Sequence, residues 1–304
     1  MKRRVFVTGA SGYLGSAIAT RLARGEYEVM GLTRSPERGR TLAAHGVIPV
    51  IGDLDKPEVW RGQLKNTDVA IHVASDSKDA ATFDQHALTT IREAVNDGRV
   101  RRVLYTSGMW VHGDTHGQVV DETTAVNPLP IVHWRAAHEE IVFDLAEFEV
   151  QAIVLRPTIV YGESRGIIGG YFAEARDQRT VTCPGNGAQF WGMVHRDDVA
   201  EAYALALEHG KGGERYILCD ESQLTAKQIL EAIARATGAE LRLWEAEGVL
   251  KQLGLYGEAL LASQKSTAGK ARRELGWVPR HQNFVREADD LFREWQAGQK
   301  APVA

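Results

Sequence analysis

Apolar and polar positions in the first half of the chain follow two alternating patterns. Short runs rich in β-branched and aromatic residues are separated by segments in which apolar residues recur every three or four positions. The runs predict strands over residues 4–9, 27–34, 47–54, 68–75, 101–108 and 148–157. In the first segment between them, Leu14, Ile18 and Leu22 fall on one face, which predicts a helix that stops at Gly25.

Buried strands that alternate with helices are typical of a parallel sheet covered on both faces. We therefore predict an α/β fold with a doubly wound parallel sheet. After residue 161 the pattern is less regular, although helices are predicted over 194–209 and 223–238. We expect a first domain over 1–160 and mainly a smaller C-terminal lobe over 161–304, with the 194–209 helix packing back on the first domain.

Charge and composition limit the kinds of binding partner that we expect. The 304 residues carry a net charge of −4, and acidic and basic residues are mixed along the chain, so we expect neither nucleic acid nor a membrane as partner. The two cysteines suggest no disulfide framework, and no Cys/His spacing indicates a metal site. No stretch approaches the roughly 20 apolar residues of a membrane span. We expect a cytoplasmic protein with a small-molecule substrate, and the sequence leaves a homodimer open.

The clearest chemical signal is "VTGASGYLG", between the first strand and the first helix. Gly9, Gly12 and Gly15 permit a tight turn, close approach of a pyrophosphate and close packing of helix on sheet. The helix N-terminus then offers free N–H groups to the phosphates. This context predicts that 1–160 is a dinucleotide-binding domain of the Rossmann type and that the lobe binds substrate.

The chain resembles the extended and atypical short-chain dehydrogenases/reductases, the NAD-dependent epimerase/dehydratase group. The resemblance rests on "TGASGYLG", "GDL" at 52–54, "YTSGMWVHG" at 105–113, "LRPTIVYG" at 155–162, "VHRDDVAEAY" at 194–203 and "KARRELGW" at 270–277. It covers nearly the whole chain. Because such folds host many reactions, it supports the family better than any one activity.

The resemblance implies a set of cofactor-binding positions. The pyrophosphate would meet Ser11, Gly12, Tyr13 and Leu14 in the glycine turn, and the adenine would meet Asp53 and Leu54. The remaining positions implied by the resemblance are Val73, Ala74 and Ser75 beside the ribose, Thr106 after the fifth strand, and Pro157 and Thr158 near the nicotinamide.

The end of the second strand carries independent information. An acidic residue there would accept hydrogen bonds from a ribose 2′-hydroxyl, but the chain has Arg34 followed by Ser35. A guanidinium can pair with a 2′-phosphate and a hydroxyl can donate to it. NADP is therefore favoured over NAD, with a solvated surface arginine as the alternative interpretation of Arg34 and a solvated charged face as that of Arg38 and Arg40.

The catalytic signature departs from the family pattern. Oxidoreductases of this group use a Ser or Thr, a Tyr, and a Lys four residues after the Tyr. The family serine position falls on Gly108, directly after Thr106 and Ser107, and residues 129–150 contain neither tyrosine nor lysine. Two registers stay open. In one register, His133 or Trp134 takes the tyrosine position, and the choice of Trp134 puts His138 at the lysine position. In the other register, Ile131 takes the tyrosine position and Arg135 the lysine position.

A second departure concerns the substrate. Relatives that act on sugar nucleotides often carry a diphosphate-pairing arginine where this chain has Trp191. An ordinary sugar-nucleotide substrate therefore loses support. Aromatic residues could instead line an apolar cleft, and the candidates are Trp110, Trp134, Tyr161, Phe190 and Trp191.

Helical spacing directs Trp134 and His138 toward the sheet, so His138 is either a satisfied core histidine or a contact to the cofactor ribose or the substrate. We predict the second, with Ser107 and Tyr161 handling the proton, and with His133 and Arg135 as further candidates. Two function classes follow: an NADP-dependent oxidoreductase acting on a small carbonyl or hydroxyl substrate, or a catalytically impaired NAD(P)-binding sensor. Epimerase or dehydratase chemistry ranks third.

Overall fold

The computed structural model describes residues 2–75 and 79–300, and its elements alternate along the chain as predicted. The strands are Arg3–Thr8 (β1), Tyr27–Thr33 (β2), Ile48–Ile51 (β3), Val69–His72 (β4), Arg102–Thr106 (β5), Val119–Val120 (β6), Gln151–Pro157 (β7), Ile159–Tyr161 (β8), Thr180–Pro184 (β9), Met193–His195 (β10), Arg215–Leu218 (β11), Glu240–Trp244 (β12) and Lys265–Ser266 (β13). The α-helices are Tyr13–Ala23 (α1), Pro36–Ala44 (α2), Pro57–Lys65 (α3), Ala80–Asp97 (α4), His133–Phe143 (α5), Gly166–Gln178 (α6), Arg196–His209 (α7), Ala226–Thr237 (α8), Ala246–Leu253 (α9), Leu255–Leu261 (α10), Gly269–Leu275 (α11) and Phe284–Lys300 (α12).

Seven parallel strands form the main sheet, in the order β11-β7-β5-β4-β1-β2-β3. The predicted doubly wound α/β fold is thus confirmed. The chain winds outward in one direction from β1 through β2 and β3, and in the other from β4 onward. Since β1 and β4 lie side by side, the reversal occurs between them, and a ligand crevice is expected at their carboxyl ends.

Helices cover both faces of the sheet because its strands are apolar on both sides. Successive residues of β1 alternate: Val5 and Val7 belong to one buried cluster with α1, α7 and α11, whereas Phe6 belongs to another with α3, α4 and α5. β4 is buried at all four of its residues. The sheet is therefore a rigid support for the strand ends that carry polar groups.

The C-terminal part of the chain contributes to both halves of the molecule. β11 pairs with β7 and forms one edge of the main sheet, a strand that the sequence pattern did not predict. Helix α7 packs on α1 in the first cluster. A third buried cluster, which includes Phe172, Ile229 and Trp295, joins α6, α8 and α12 into a smaller lobe.

Among residues 2–75 and 79–300, no helix combines the length and the apolar character needed to cross a bilayer.

Candidate active site

The glycine turn after β1 has a shape that only glycine tolerates. Gly9 has φ +67°, and a Cβ on it would lie 2.7 Å from the Ala74 Cα. A Cβ on Gly15 would collide with the Gly9 carbonyl, so α1 rests directly on the turn. Helix α1 starts after Gly12 with no side chain capping it, which leaves its first amides available to a ligand.

A cavity of about 730 Å³, here called the dinucleotide cleft, lies along this turn. Twelve of the predicted cofactor positions line it: Gly9, Ser11, Gly12, Tyr13, Leu14, Arg34, Ser35, Asp53, Leu54, Val73, Ala74 and Ser75. Gly15 lies buried beneath the turn. Glycine amides, apolar walls and the helix N-terminus fit a dinucleotide, which needs a close approach to its phosphates.

Arg34 and Arg38 lie at the far end of the cleft, where both are exposed and both line it. Ser35 caps helix α2, and its hydroxyl accepts a hydrogen bond from the Arg38 amide at 3.3 Å. Two carboxylates, those of Glu37 and Asp53, line the cleft as well, so its charged side chains balance.

A second cavity of about 460 Å³, the reaction cavity, adjoins the cleft at Leu14 and Ser75, which line both. It contains the other predicted cofactor positions and several predicted catalytic or substrate positions: Thr106, Ser107, Trp110, Trp134, Arg135, Pro157 and Thr158. Most of its other lining side chains are apolar, including Met109, Ile131 and Val132. The cavity therefore offers an apolar space next to the inner end of the cleft.

Arg135 is held in the reaction cavity by two contacts. Its Nη1 donates to the Thr106 carbonyl at 2.7 Å, and its guanidinium lies 4.4 Å from the centre of the Trp134 ring. Among the described residues that line the reaction cavity, Arg135 is the one charged side chain. A developing negative charge in this cavity would consequently meet a fixed cation.

Ser107 lies at the floor of the reaction cavity. Its amide donates to the Leu155 carbonyl at 2.9 Å, which fixes the backbone beside β7. The side chain is buried, and its Oγ makes no hydrogen bond within 3.5 Å to a described residue, although Ser107 helps to lower the pKa of the neighbouring Glu139 carboxylate. A buried hydroxyl without a full hydrogen bond is costly, so a polar ligand atom that reached Ser107 would gain its proton as a hydrogen-bond donor.

A buried cluster of Arg156, Glu139 and His112 lies beneath the reaction cavity. Arg156 donates from Nε to Glu139 at 2.9 Å and from Nη1 to His112 Nε2 at 2.9 Å. Burial alone would raise the pKa of Glu139, but the hydrogen bonds from Arg156 outweigh it and lower that pKa. Burial, with Arg156 beside it, lowers the pKa of His112 to about 4, so its ring is neutral near pH 7.

His138 and His133 lie outside the two cavities. His138 is 7% exposed; its Nδ1 donates to Asp84 at 2.7 Å, and its ring supports the Trp134 ring edge-on. His133 is exposed and bonds the Pro130 carbonyl through Nδ1 at 3.0 Å. The prediction that both histidines meet Ser107 is therefore wrong. Asp84 holds the His138 ring inward, and α5 turns the His133 ring to solvent.

Tyr161 is also separated from Ser107. Its side chain is fully buried between the His195 ring and the Phe284 ring, in the core of the smaller lobe. Burial raises the pKa of Tyr161 far above its ordinary value. A phenol in this position does not line the reaction cavity, since β8 directs it into the lobe.

Two predicted substrate positions are likewise core or rim residues. Trp191 is 1% exposed, and its Nε1 donates to the Leu260 carbonyl at 3.0 Å. Phe190 is half-buried beneath the Lys265 ammonium group, which lies 4.3 Å from its ring centre. Of the five aromatic residues predicted to line the cleft, Trp110 and Trp134 line the reaction cavity.

Asp84 was not among the residues predicted from the sequence, although it connects the elements beneath the reaction cavity. Its carboxylate accepts from His72 at 3.1 Å, Tyr105 at 2.8 Å and His138 at 2.7 Å. A signal was present: Asp84, Leu88 and Ile91 share one face of the predicted helix, and a carboxylate on an apolar face must find buried donors.

Comparisons with known proteins agree with this geometry. Residues 5–219 match the model of the NAD dependent epimerase/dehydratase family. The chain is 26% identical over 331 residues to the 4-hydroxy-2-methyl-3-oxo-4-farnesyl-3,4-dihydroquinoline-1-oxide ketoreductase of Stigmatella aurantiaca, and the match covers 98% of each chain. It is 25% identical over 266 residues to a 2-alkyl-3-oxoalkanoate reductase of Shewanella oneidensis, covering 77% of this chain and 66% of the relative.

Solved structures share the fold. The dTDP-glucose 4,6-dehydratase of Bacillus anthracis, solved in complex with NAD, superposes with a TM-score of 0.84 at 17% identity, covering 98% of each chain. A UDP-glucuronic acid 4-epimerase of Bacillus cereus superposes with a TM-score of 0.82 at 18% identity, covering 97% of this chain and 99% of the other.

Proposed function

Because the chain belongs to the NAD-dependent epimerase/dehydratase family, we propose that it is an NADP-dependent reductase that acts on the carbonyl group of a small, apolar substrate. The observation that carries the proposal is the reaction cavity, where one fixed guanidinium and one hydroxyl without a partner lie in apolar surroundings beside the dinucleotide cleft. Such a constellation suits an oxygen atom that gains negative charge during the reaction.

NADP fits the far end of the cleft. Arg34 and Arg38 would pair with a 2′-phosphate there, and Ser35 would add a hydroxyl. Glu37, which lines the same end, is the residue that would favour a free 2′-hydroxyl and hence NAD. Because Arg34 directly follows β2, where an acidic residue would select NAD, the phosphate is favoured.

Each polar residue of the reaction cavity would have a separate role in the reduction. A bound reduced nicotinamide would supply the hydride. Ser107 Oγ would donate a hydrogen bond to the carbonyl oxygen, and Arg135 would stabilise the negative charge that develops on it. The oxygen would then take its proton from solvent that enters the open reaction cavity, while Ser107 keeps its own proton and donates the hydrogen bond. Trp134 would keep Arg135 in place through the contact between ring and guanidinium.

Sugar nucleotides fit this chain poorly. By the family resemblance, Trp191 falls where enzymes that act on sugar nucleotides often carry a diphosphate-pairing arginine, and its ring is buried with its N–H already bonded to Leu260. Two relatives are named as reductases of oxo compounds, one with a farnesyl group in its name and the other with a 2-alkyl group. An apolar ketone is therefore the favoured substrate.

NADPH oxidation with a panel of aldehydes and ketones tests the proposal. We expect turnover with apolar ketones, and Ser107→Ala should lower kcat by roughly 100-fold, as removal of one oxyanion donor does. Thr89→Ala, which removes an exposed hydroxyl that bonds only its own helix, is the control. Undiminished turnover in Ser107→Ala would contradict the assigned role.

A cofactor-binding protein without turnover is the second candidate. It is favoured by one observation: among the described residues that line the reaction cavity there is neither a tyrosine nor a lysine. Tight NADPH binding by calorimetry, combined with no oxidation across the carbonyl panel, would select this candidate.

A further inference from the structure

The smaller lobe contains a third space, here called the lobe cavity, of about 720 Å³. Helices α6, α9 and α10 and strands β9 and β12 supply its walls. Its apolar and aromatic residues include Ile167, Tyr171, Leu243, Trp244, Tyr256 and Leu260, and polar side chains from α6, β9, β12 and α9 supply the rest of the lining. No step proposed for Ser107 and Arg135 uses this cavity.

The lobe cavity continues the reaction cavity. Ile167 at the start of α6 lines both. On the opposite wall, Trp110 of the reaction cavity meets Tyr256 of the lobe cavity edge-on, with 6.4 Å between ring centres. Trp110 and Ile131 also pack against a small buried cluster that includes Ala259 of α10, the helix that carries Tyr256. A ligand whose carbonyl lay at Ser107 would extend past Ile167 and Tyr256 into the lobe cavity.

Charge in the lobe cavity disfavours a diphosphate. Glu174 points a carboxylate into it and accepts a hydrogen bond from the Thr182 amide at 3.3 Å. Arg242, the cation at its edge, is already paired with Glu240 at 2.8 Å. The Tyr171 ring packs on the buried Trp191 ring, with centres 5.9 Å apart. The apolar part of the lining therefore stabilises a hydrocarbon, and the Glu174 carboxylate disfavours an anion beside it.

The exposed fractions of two apolar side chains also favour a hydrocarbon ligand. Leu243 is 57% exposed and Tyr256 is 37% exposed at the mouth of the lobe cavity. Large apolar side chains grouped at the mouth of a cavity gain free energy when an apolar ligand covers them.

We propose that the substrate carries a long hydrocarbon chain, alkyl or prenyl, which leaves the carbonyl at Ser107 and occupies the lobe cavity. This inference rests on the proposed function for the position of the carbonyl. The lobe cavity, on this account, sets specificity by chain length and not by recognition of a nucleotide.

Gly170 allows the inference to be tested without disturbing the reaction cavity. It lies on α6, lines the lobe cavity, and a Cβ added to it would meet open space. Gly170→Phe should therefore fill the cavity without strain. Gly62 offers a matched control, since it is also an exposed helix glycine with open space at its Cβ, and it lies on α3 in the other domain.

The experiment compares methyl ketones from methyl propyl to methyl nonyl ketone. In the native protein we expect kcat/KM to rise roughly threefold for each added methylene, because each gains most of the free energy of apolar burial. Gly170→Phe should reduce the ratio between the longest and the shortest ketone at least tenfold, and Gly62→Phe should leave it unchanged.

Calorimetric binding of the same ketones in the presence of NADP⁺ separates this inference from the proposed function. Affinity that rises with chain length and loses this rise in Gly170→Phe supports the lobe cavity even where no ketone is reduced, an outcome in which only the proposed function fails. Affinity independent of chain length, or a rise that survives in Gly170→Phe, overturns the inference.

Discussion

Arg135 and His138 lie one helical turn apart on α5, yet their surroundings differ completely. Arg135 reaches the Thr106 carbonyl in the reaction cavity, whereas His138 points at a buried carboxylate. Helical spacing correctly places His138 on the inward face. The spacing cannot predict which group His138 meets on that face, because Asp84 comes from a helix 54 residues earlier in the chain.

Arg34 carries the first prediction at the scale of a residue. Arg34→Asp should lower the preference for NADPH over NADH by roughly 10- to 100-fold, the cost of losing one hydrogen-bonded charge and adding a repulsive one. Fluorescence titration with both cofactors measures it. Arg40→Asp is the control, because Arg40 is exposed and does not line the cleft, and it should leave the preference unchanged. An unaltered preference in Arg34→Asp would reduce Arg34 to a surface charge.

At the scale of elements, Asp84 joins parts of the fold that are distant in sequence. It lies on α4 and accepts hydrogen bonds from β4 through His72, from β5 through Tyr105 and from α5 through His138. Burial alone would raise the pKa of Asp84, but the bonds from His138 and His72 prevail and lower it. The two strands and α5 that carry the reaction cavity are thus fixed by one carboxylate.

Asp84→Asn should lower the free energy of unfolding by roughly 3 kcal/mol at pH 7, since it removes the charge from a buried, paired group. Because the folded pKa lies below the unfolded value of about 4, the contribution of Asp84 is complete above pH 4 and is lost as the pH falls through the folded pKa. The difference between the variant and the native protein should accordingly shrink below pH 4. Urea unfolding at several pH values measures this.

Asp97→Asn is the control for that series, because Asp97 ends the same helix but lies exposed beside Lys65. It should change the unfolding free energy far less than Asp84→Asn does. An Asp84→Asn variant as stable as the native protein would mean that the buried carboxylate does not hold these elements together.

At the scale of the whole molecule, the pattern of apolar runs was sufficient for the first six strands of the sheet and insufficient for the seventh. The predicted strands correspond to β1, β2, β3, β4, β5 and β7 with ends shifted by a few residues. β11 was missed because its run, "RYIL", is four residues long and follows two glycines in a region without regular alternation. Its place in the sheet depends on pairing with β7, which no local pattern encodes.

The residues that line the dinucleotide cleft were predictable for a related reason. Most of them follow strand ends, so motif and strand order together locate them. Tyr161 is the last residue of β8 and Trp191 lies just before β10, but these two strands form a separate small sheet whose side chains enter the lobe core. The cavity walls Ile167 and Tyr256 come from helices of that lobe, and no motif marks them.

Asp220, at the end of β11, gives a prediction for the stability of the whole molecule. Its Oδ1 accepts from the Ser222 amide at 2.9 Å, while Oδ2 is buried with no partner within the described residues. Burial raises the pKa of Asp220 to about 7. Since the folded pKa is raised, its neutral form favours folding below pH 4, and that advantage is lost as the pH rises toward 7.

Asp220→Asn should therefore be more stable than the native protein at pH 8, by up to about 4 kcal/mol, with the difference growing between pH 4 and pH 7 and constant above pH 8. Thermal unfolding across this range measures it. Asp177→Asn, at an exposed position paired with Arg176, should show no such trend. A variant less stable than the native protein at pH 8 would show that the ionised carboxylate is needed.

Transfer of a labelled hydride shows whether the reaction cavity reduces an apolar carbonyl with NADPH. The native protein is incubated with methyl nonyl ketone and with NADPH that carries two deuterium atoms at C4 of the nicotinamide ring, and the product is analysed by mass spectrometry. We predict an alcohol with one deuterium on the carbinol carbon, formed roughly 100-fold more slowly by Ser107→Ala. Tight NADPH binding with no deuterated alcohol from this ketone or from any of the carbonyl panel would contradict the account.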